Sequence, residues 1–223
     1  MKPKTVVRSL LTCLTLALFA SVALAQSVGG SVVIAINAEP DSLDPQKSAT
    51  AVVNQVMRYI GDTLVNKDLD GNYIAGLATS WTPSEDDKVW TFTLRENVKF
   101  HNGKPVDAEA VRASFLRAKD PATQSPVAAG LLAPVDDVVV VDDYTVEFHL
   151  ARPYYLLIEN LTQQALALVD AEAAAELGAE FNRSPVLTGP WKVGPWASGS
   201  RITLERNPDY AWGPEYAHDG PAY

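Results

Sequence analysis

The chain has 223 residues, of which 47% are hydrophobic and 20% are charged, with a formal net charge of −9. Its first 25 residues carry three basic and no acidic residues, so the remainder has 15 Lys and Arg against 27 Asp and Glu, a net charge of about −12. Such an acidic chain is a poor partner for nucleic acid or an anionic membrane surface, and we expect neither.

Residues 1–25 have the pattern of a secretory signal peptide. Three basic residues precede an apolar stretch that ends in the small-residue motif Ala-Leu-Ala at 23–25. The single cysteine, Cys13, lies inside this segment, so the processed chain has none and must be stabilised by its core instead of disulfides. We therefore expect cleavage after residue 25, export to the periplasm and no insertion in the membrane.

Residues 26–65 begin as an α/β layer. The β-branched run SVVIAI at 31–36 predicts a strand buried on both faces, as in a parallel sheet. After the loop AEPDSLDP at 38–45, apolar residues recur every four positions at Val52, Val56 and Ile60, which predicts an amphipathic helix within 51–64.

Residues 66–185 change in texture and predict a small α+β unit of hairpins and helices. The predicted elements are an alternating strand in VWTFTLRE, a tight turn at Asn102-Gly103, a helix capped by Asp107 that runs to about Lys119, two strands around Asp142-Asp143, a helix in YYLLIENLTQQ, and a helix capped by Asp170 that ends at Gly178. From residue 186 to 223, VLTGPWKVGPW indicates a return to the parallel sheet, and RITLERN alternates with Ile202 and Leu204 on one face.

Four ordered stretches carry a family resemblance: EPDSLDPQKSA, the run from GLATSWTP to VRASFLRA, VDDYTVEFHLARP, and LTGPWKVGPWASGSRITLERNPDYAWG. Together they resemble the extracytoplasmic solute-binding proteins of ABC transporters, in the family that binds peptides, nickel chelates and related solutes. The resemblance implies an α/β fold of the type II periplasmic-binding class, with an α+β domain inserted in the first lobe. It also implies that the second lobe lies beyond this chain, so that 26–65 and 186–223 are two parts of lobe I and 66–185 is the insertion.

Three acids in the opening loop, Glu39, Asp41 and Asp44, raise the question of a metal or catalytic site. A calcium loop usually alternates Asp or Asn ligands around a glycine, and no glycine lies between residues 31 and 60. No nucleophile, base or dinucleotide motif accompanies them, and His101, His149 and His218 lack metal-ligand spacing. We therefore predict no catalytic residue, no metal and no cofactor. Pro40, Pro45 and a buried Leu43 would make the loop a stiff support.

Ligand-binding candidates follow from the resemblance and from the position of the loop. The resemblance places the segment after Leu-Asp-Pro in the cleft, meeting the ligand with main-chain groups; here that segment is Ser48, Ala49, Thr50 and Ala51. Alternatively, the segment only leads into the helix, with Thr50 as its N-cap. The remaining candidates are Val127, which is a ligand neighbour or a surface packing residue; Thr188 and Gly189, at a tight re-entry; and Trp191, which lies in the cleft or in the core.

The sequence thus predicts a monomeric periplasmic receptor that delivers a solute, with peptide as the leading class, to the permease subunits of an ABC importer. A nickel chelate, an oligosaccharide or an opine are alternative ligands. A secreted hydrolase is the alternative of another class, although no motif in the chain supports one.

Overall fold

Helices and antiparallel strands alternate along the chain in the computed structural model, which describes residues 30–48 and 50–213. Within these ranges, the residues from Ile34 onward belong to one compact unit and residues 30–33 to another. The helices are α1 Ala51–Ile60, α2 Ala108–Lys119, α3 Ala128–Leu131, α4 Leu157–Asn160 and α5 Ala171–Leu177. The strands are β1 Val65–Lys67, β2 Tyr73–Ala75, β3 Ala78–Pro83, β4 Val89–Leu94, β5 Val135–Asp142, β6 Thr145–Leu150, β7 Trp191–Ala197 and β8 Arg201–Arg206.

The strands form three separate sheets. Strands β1 and β2 pair as a hairpin, β3-β4-β6-β5 form a four-stranded sheet, and β7 and β8 form a second hairpin. Every strand pair in the described part of the chain is antiparallel. The alternation of VWTFTLRE is confirmed, since Trp90, Phe92 and Leu94 are buried in the central strand β4.

Helix α2 packs on one face of the four-stranded sheet, and the large core lies between them. Phe148 lies between two other phenylalanines, with ring centroids 5.2 Å from Phe92 and 5.0 Å from Phe115 in edge-to-face geometry. The buried apolar side chains of this large core come from positions 64 to 168, together with Trp212. Asp107 accepts a hydrogen bond from the Ala110 amide, so the predicted cap of α2 is confirmed.

A small core lies under helix α1 and draws on both ends of the chain. It buries Leu43, the inward face of α1, Phe181 and Leu187, and the half-buried Ile202 and Leu204 pack against it. The amphipathic helix is confirmed, although it ends at Ile60 because Gly61 adopts an extended backbone. Buried residues change from the large to the small core between Leu168 and Val169. The division at residues 65/66 and 185/186 stays a prediction.

The predicted buried strand at 31–36 is wrong in this structure. The segment has no regular secondary structure and every residue in it is exposed, Val33 at 94%. A β-branched run favours an extended backbone, but a strand exists only where a neighbour supplies hydrogen-bond partners. None of the strands in the described ranges pairs with this segment.

Two further predictions need correction. The return to a parallel sheet at VLTGPWKVGPW is wrong, because β7 pairs antiparallel with β8 and Trp191 lies opposite Arg206. The helix predicted in YYLLIENLTQQ shrinks to the single turn of α4, followed by a 3-10 turn at Gln164–Leu166. No side-chain hydrogen bond caps α4, which removes one of the interactions that would extend it. The signal segment lies outside the described residues.

In the part of the chain that the structure describes, no helix is long and apolar enough to cross a membrane.

Candidate functional site

The opening loop is anchored to the small core, as the sequence predicted. Leu43 is fully buried, and its amide donates to the Asn182 carbonyl at 2.7 Å. Ser42 Oγ accepts from the Asp44 amide at 3.0 Å, which closes a local turn. The loop therefore reaches helix α1 along a fixed path.

Asp44 forms a buried ion pair with a residue of helix α2. Its side chain is 1% exposed, and Arg117, at 15% exposure, donates to Oδ2 at 2.6 Å and to Oδ1 at 3.3 Å. Arg117 also donates to Gln46 Oε1 at 2.5 Å, and its guanidinium lies 5.5 Å from the centroid of the Phe181 ring. A bidentate contact of this kind fixes the relative orientation of the two side chains as well as their distance. Asp44 is thus a support of the loop.

Asp41 holds the segment that the sequence placed in a cleft. Its Oδ1 accepts from Ser48 Oγ at 2.8 Å and from Thr50 Oγ1 at 3.2 Å. Burial alone would raise the pKa of Asp41, but the hydrogen bonds from Ser48 and Thr50 outweigh it, so that this pKa lies below its ordinary value. The charged Asp41 side chain therefore anchors Ser48 and Thr50.

Glu39 ties the loop to the tip of the β7–β8 hairpin. It accepts from Trp196 Nε1 at 2.7 Å and from the Gly199 amide at 2.9 Å. These two donors, that of Trp196 first, hold the pKa of Glu39 below its ordinary value. The guanidinium of Arg183, which precedes the hairpin, lies 4.3 Å from the centroid of the Trp196 ring. Each of the three acids thus makes a structural contact, and the prediction that none of them is catalytic stays a prediction.

The candidate segment 48–51 lies directly before and at the first turn of α1. Ser48 is 4% exposed with its hydroxyl bound to Asp41, whereas Thr50 and Ala51 are exposed. Thr50 occupies the N-cap position with an extended backbone, but its side chain makes no capping hydrogen bond, since it turns to Asp41. Ala49 lies outside the described residues. Of the described residues in this segment, Thr50 and Ala51 are therefore the ones that solvent reaches.

Thr188 and Gly189 lie at the opposite end of α1. The Thr188 hydroxyl, in a fully buried residue, accepts from the Asp62 amide at 3.3 Å, and the Gly189 amide donates to the Ile60 carbonyl at 3.0 Å. A Cβ on Gly189 would meet the Ile60 carbonyl carbon at 2.4 Å, which explains the glycine. Ten helical residues separate the two groups by about 15 Å. This pair joins α1 to β7 and is not in contact with segment 48–51.

The last two candidates are half-buried packing residues. Trp191 begins β7 and packs against the small core, while Val127 precedes α3 and packs against the large core. Neither contact brings them to segment 48–51. Their roles as ligand neighbours stay predictions.

With this geometry in place, residues 72–221 match the family described as bacterial extracellular solute-binding proteins, family 5. The chain belongs to this family. The periplasmic oligopeptide-binding protein OppA of Salmonella typhimurium is 33% identical over 190 residues, which are 77% of this chain and 35% of OppA. The chain thus spans about a third of the length of this relative.

Solved structures of family 5 proteins share the fold. The periplasmic binding protein DppA of Helicobacter pylori, in complex with the peptide STSA, has a TM-score of 0.75 and 32% identity, covering 87% of this chain and 42% of that one. AgaA of A. tumefaciens, in complex with agropinic acid, has a TM-score of 0.72 and 32% identity, covering 77% of this chain and 35% of that one. The chain is therefore part of a type II periplasmic-binding fold, and its family is one of solute-binding proteins, not of enzymes.

Sequence reasoning missed a buried polar cluster beside Gly189 in this family 5 chain. The Gly189 carbonyl accepts from His101 Nε2 and from Asn207 Nδ2, each at 3.1 Å. Because a carbonyl only accepts, His101 carries its proton on Nε2. Burial lowers the pKa of His101 to about 4, and the nearby Lys192 adds to this effect. His101 is therefore neutral at pH 7.

Asp62 extends this cluster towards the end of the described chain. It accepts from Trp212 Nε1 at 3.0 Å and from the Tyr210 hydroxyl at 3.3 Å. Burial raises the pKa of Asp62, while the hydrogen bonds from Trp212, Thr188 and Tyr210 oppose the rise. No local sequence signal could have paired residues that lie 148 and 150 positions apart.

A surface groove of about 360 Å³ lies elsewhere, between the turn after Phe100 and the first turns of α2 and α5. Its one lysine, Lys104, is 2.7 Å from Glu172 and 3.7 Å from Asp170. None of the predicted ligand-binding residues lines it. Within residues 30–48 and 50–213, no group of three or more His, Cys, Asp or Glu could hold a metal ion.

Proposed function

We propose that this chain is part of a periplasmic receptor that binds peptides and delivers them to the permease subunits of an ABC importer. The observation that carries the proposal is the 33% identity to a periplasmic oligopeptide-binding protein over 77% of this chain. A TM-score of 0.75 to a relative in complex with a peptide supports the same ligand class. Export by the signal pattern of residues 1–25 and action as a monomer belong to this proposal.

The ligand would meet the main chain of residues 48–51. The backbone of Thr50 is extended, with φ −81° and ψ 143°, and the other residues of the segment, serine and alanine, have small side chains. An extended peptide that lies along such a segment can exchange main-chain hydrogen bonds without a match of side chains. This suits a receptor that takes peptides of varied sequence. Val127 and Trp191 remain candidate neighbours of the ligand.

A small organic acid such as agropinic acid is the second candidate ligand. AgaA, solved in complex with agropinic acid, is 32% identical to this chain, as is DppA, solved in complex with a peptide. A nickel chelate and an oligosaccharide remain alternatives within the same transport role. The secreted hydrolase finds no support, since the family and its relatives are solute-binding proteins.

Native mass spectrometry of the protein expressed from its complete gene and purified from periplasm tests the ligand class. A distribution of added masses that match short peptides would support the proposal. A single added mass that matches agropinic acid would favour the second candidate. A protein that carries no added mass, and gains no thermal stability from a tetrapeptide pool, would contradict the proposal.

The substitution Ala51→Pro tests the role of the main chain. Ala51 is the first residue of α1 and Thr50 before it is extended, so proline fits the backbone and removes only one N–H donor. Ala171→Pro is the matched control, because Ala171 is the first residue of α5 and also follows an extended residue. We expect Ala51→Pro to weaken peptide binding and Ala171→Pro to leave it unchanged. Equal affinities in both variants would remove residue 51 from the site.

A further inference from the structure

Helix α2 holds the loop before the candidate segment through two residues one turn apart, Ser114 and Arg117. Arg117 donates hydrogen bonds to Asp44 Oδ2 at 2.6 Å and to Gln46 Oε1 at 2.5 Å. The Ser114 carbonyl accepts from Gln46 Nε2 at 3.0 Å. Residues 44 and 46 are therefore held by a helix whose own packing belongs to the large core.

The same helix also holds the chain where it enters the small core. Ser114 Oγ accepts from the Val169 amide at 3.0 Å, and Arg117 lies over the ring of Phe181. Helix α2 is thus the element of the large core that touches the loop on one side and the small core on the other.

We propose that Arg117 is a positioning residue for ligand binding, which acts through Asp44 and Gln46 on the main chain of residues 48–51. This inference rests on the proposed function and assigns the α+β part of the chain a role in it. The part that contains α2 sets the conformation of the segment that the ligand meets.

The path from Arg117 to the segment is short and stiff. The Asp44 carbonyl accepts from the Lys47 amide at 3.1 Å, and Asp44 Oδ1 accepts from the Gln46 amide at 3.1 Å, which closes a turn over 44–47. Gln46 is 1% exposed, so its side chain has no freedom to change partner. Ser48 follows directly. A rotation of this turn therefore changes the direction in which the chain leaves Ser48 towards Thr50 and Ala51.

The chemistry of the contact requires arginine. The in-plane N–H groups of one guanidinium reach two carboxylate oxygens and an amide oxygen at once, whereas a lysine ammonium supplies one compact charge. Substitution of Arg117 by methionine leaves the buried carboxylate of Asp44 without a counter-charge, although its hydrogen bond from the Gln46 amide remains, and this destabilises the fold as well as the turn. A test must therefore separate positioning from stability.

The variants Arg117→Met, Arg117→Lys and the double variant Asp44→Asn/Arg117→Met make this separation in the protein expressed from its complete gene. The double variant removes the unpaired charge and so regains stability, but Gln46 Oε1 still lacks its donor. Arg112→Met is the matched control, because Arg112 lies on the same helix and donates to the Val138 carbonyl of β5 instead. Calorimetry with the tetrapeptide STSA and hydrogen exchange are measured where each variant is folded.

We expect Arg117→Met and the double variant to bind the peptide about tenfold more weakly, which corresponds to about 1.4 kcal/mol. Exchange of the amides of residues 46–51 should accelerate in both variants, with Arg117→Lys between them and the parent. In the double variant, the exchange rates of the β4 amides should stay at the parent level. In Arg112→Met, the peptide affinity and all the exchange rates should stay at the parent level.

Recovery of affinity together with stability in the double variant would overturn the inference, since Arg117 would then act on stability alone. Unchanged exchange at residues 46–51 in Arg117→Met would overturn it as well. If the parent protein binds no peptide, the proposed function fails, and the exchange measurement still decides whether Arg117 positions the segment.

Discussion

His101 should make the stability of this chain depend on pH between 7 and 4. Its Nε2 donates to the Gly189 carbonyl, its amide donates to the Leu187 carbonyl at 2.7 Å, and its carbonyl accepts from Lys192 Nζ at 2.9 Å. These bonds join the turn after Phe100 to the start of β7. A proton added to the ring places a second charge near Lys192 in a site that is largely closed to water.

The size of the effect follows from the two pKa values. Folding lowers the pKa of His101 from 6.5 to about 4, so the unfolded state binds the proton more tightly than the folded state. The contribution to stability is therefore fully present above pH 6.5 and is lost as the pH falls towards 4. A difference of about 2.5 in pKa corresponds to about 3 kcal/mol, of which about 1.4 kcal/mol is lost by pH 5.5.

The comparison of the parent with His101→Gln isolates this residue. Glutamine keeps an N–H donor near Nε2 but does not titrate, and every other titrating group cancels between the two proteins. Native-state hydrogen exchange of the β4 amides, corrected for the intrinsic rate at each pH, gives the free energy of unfolding. We expect the parent to lose about 3 kcal/mol more than His101→Gln between pH 7.5 and 4.

His149→Gln serves as the control, because the His149 side chain is 41% exposed and its ring contacts Glu147 on the same strand. This variant shows what the loss of an imidazole at an exposed position does in the same assay. Parallel curves for the parent and His101→Gln would refute the reasoning, since the buried ring would then accept a proton in the folded state without cost.

Three substitutions test the packing. Gly189→Ala should lower the free energy of unfolding by about 3 kcal/mol, since its Cβ meets the Ile60 backbone at 2.4 Å. Gly130→Ala is the control and should not lower it, because a Cβ there meets nothing within 4 Å. Urea denaturation measures both free energies. Leu43→Ala should cost about 2–5 kcal/mol by the same assay, because Leu43 is fully buried. Val33→Asp should change stability by less than about 0.5 kcal/mol in this chain; a cost above about 4 kcal/mol would show that the strand predicted at 31–36 is buried after all.

Elements that depend on neighbours in sequence were predictable. The helix caps at Asp107 and Asp170 each bind an amide three residues ahead, so the signal and its partner lie in one short window. The alternation in β4 and β6 likewise follows from burial of every second residue. Such features need no knowledge of the rest of the chain.

The predictions failed where an element depends on a distant partner. The run at 31–36 is as apolar as a buried strand, but its structure depends on another strand that the run itself does not encode. The direction of β7 is set by its pairing with β8 across a short turn, and the motif VLTGPW contains nothing about that turn. Apolar content predicts burial only when the covering element is present.

The candidate site shows the same limit at the level of single residues. The segment after Leu-Asp-Pro could be proposed from the resemblance, but its supports could not, since Arg117 lies 73 positions from Asp44 and Trp196 lies 157 positions from Glu39. Pairs of this kind have no periodicity and no spacing rule. They become visible only when the fold brings them within hydrogen-bond distance.

The three acids of the opening loop show how a short charged loop can be fixed to several elements of the fold. Each carboxylate is bound to a different partner: Glu39 to the β7–β8 hairpin, Asp41 to segment 48–50 and Asp44 to helix α2. An ionised carboxylate accepts several hydrogen bonds at once, which lets a short stretch connect three elements that do not share an apolar surface. The Asp41 carboxylate binds the hydroxyls of Ser48 and Thr50, so Thr50 is held in place although it is exposed. Apolar anchoring through Leu43 alone would fix the position of the loop but not its direction, whereas hydrogen bonds to three carboxylates fix both.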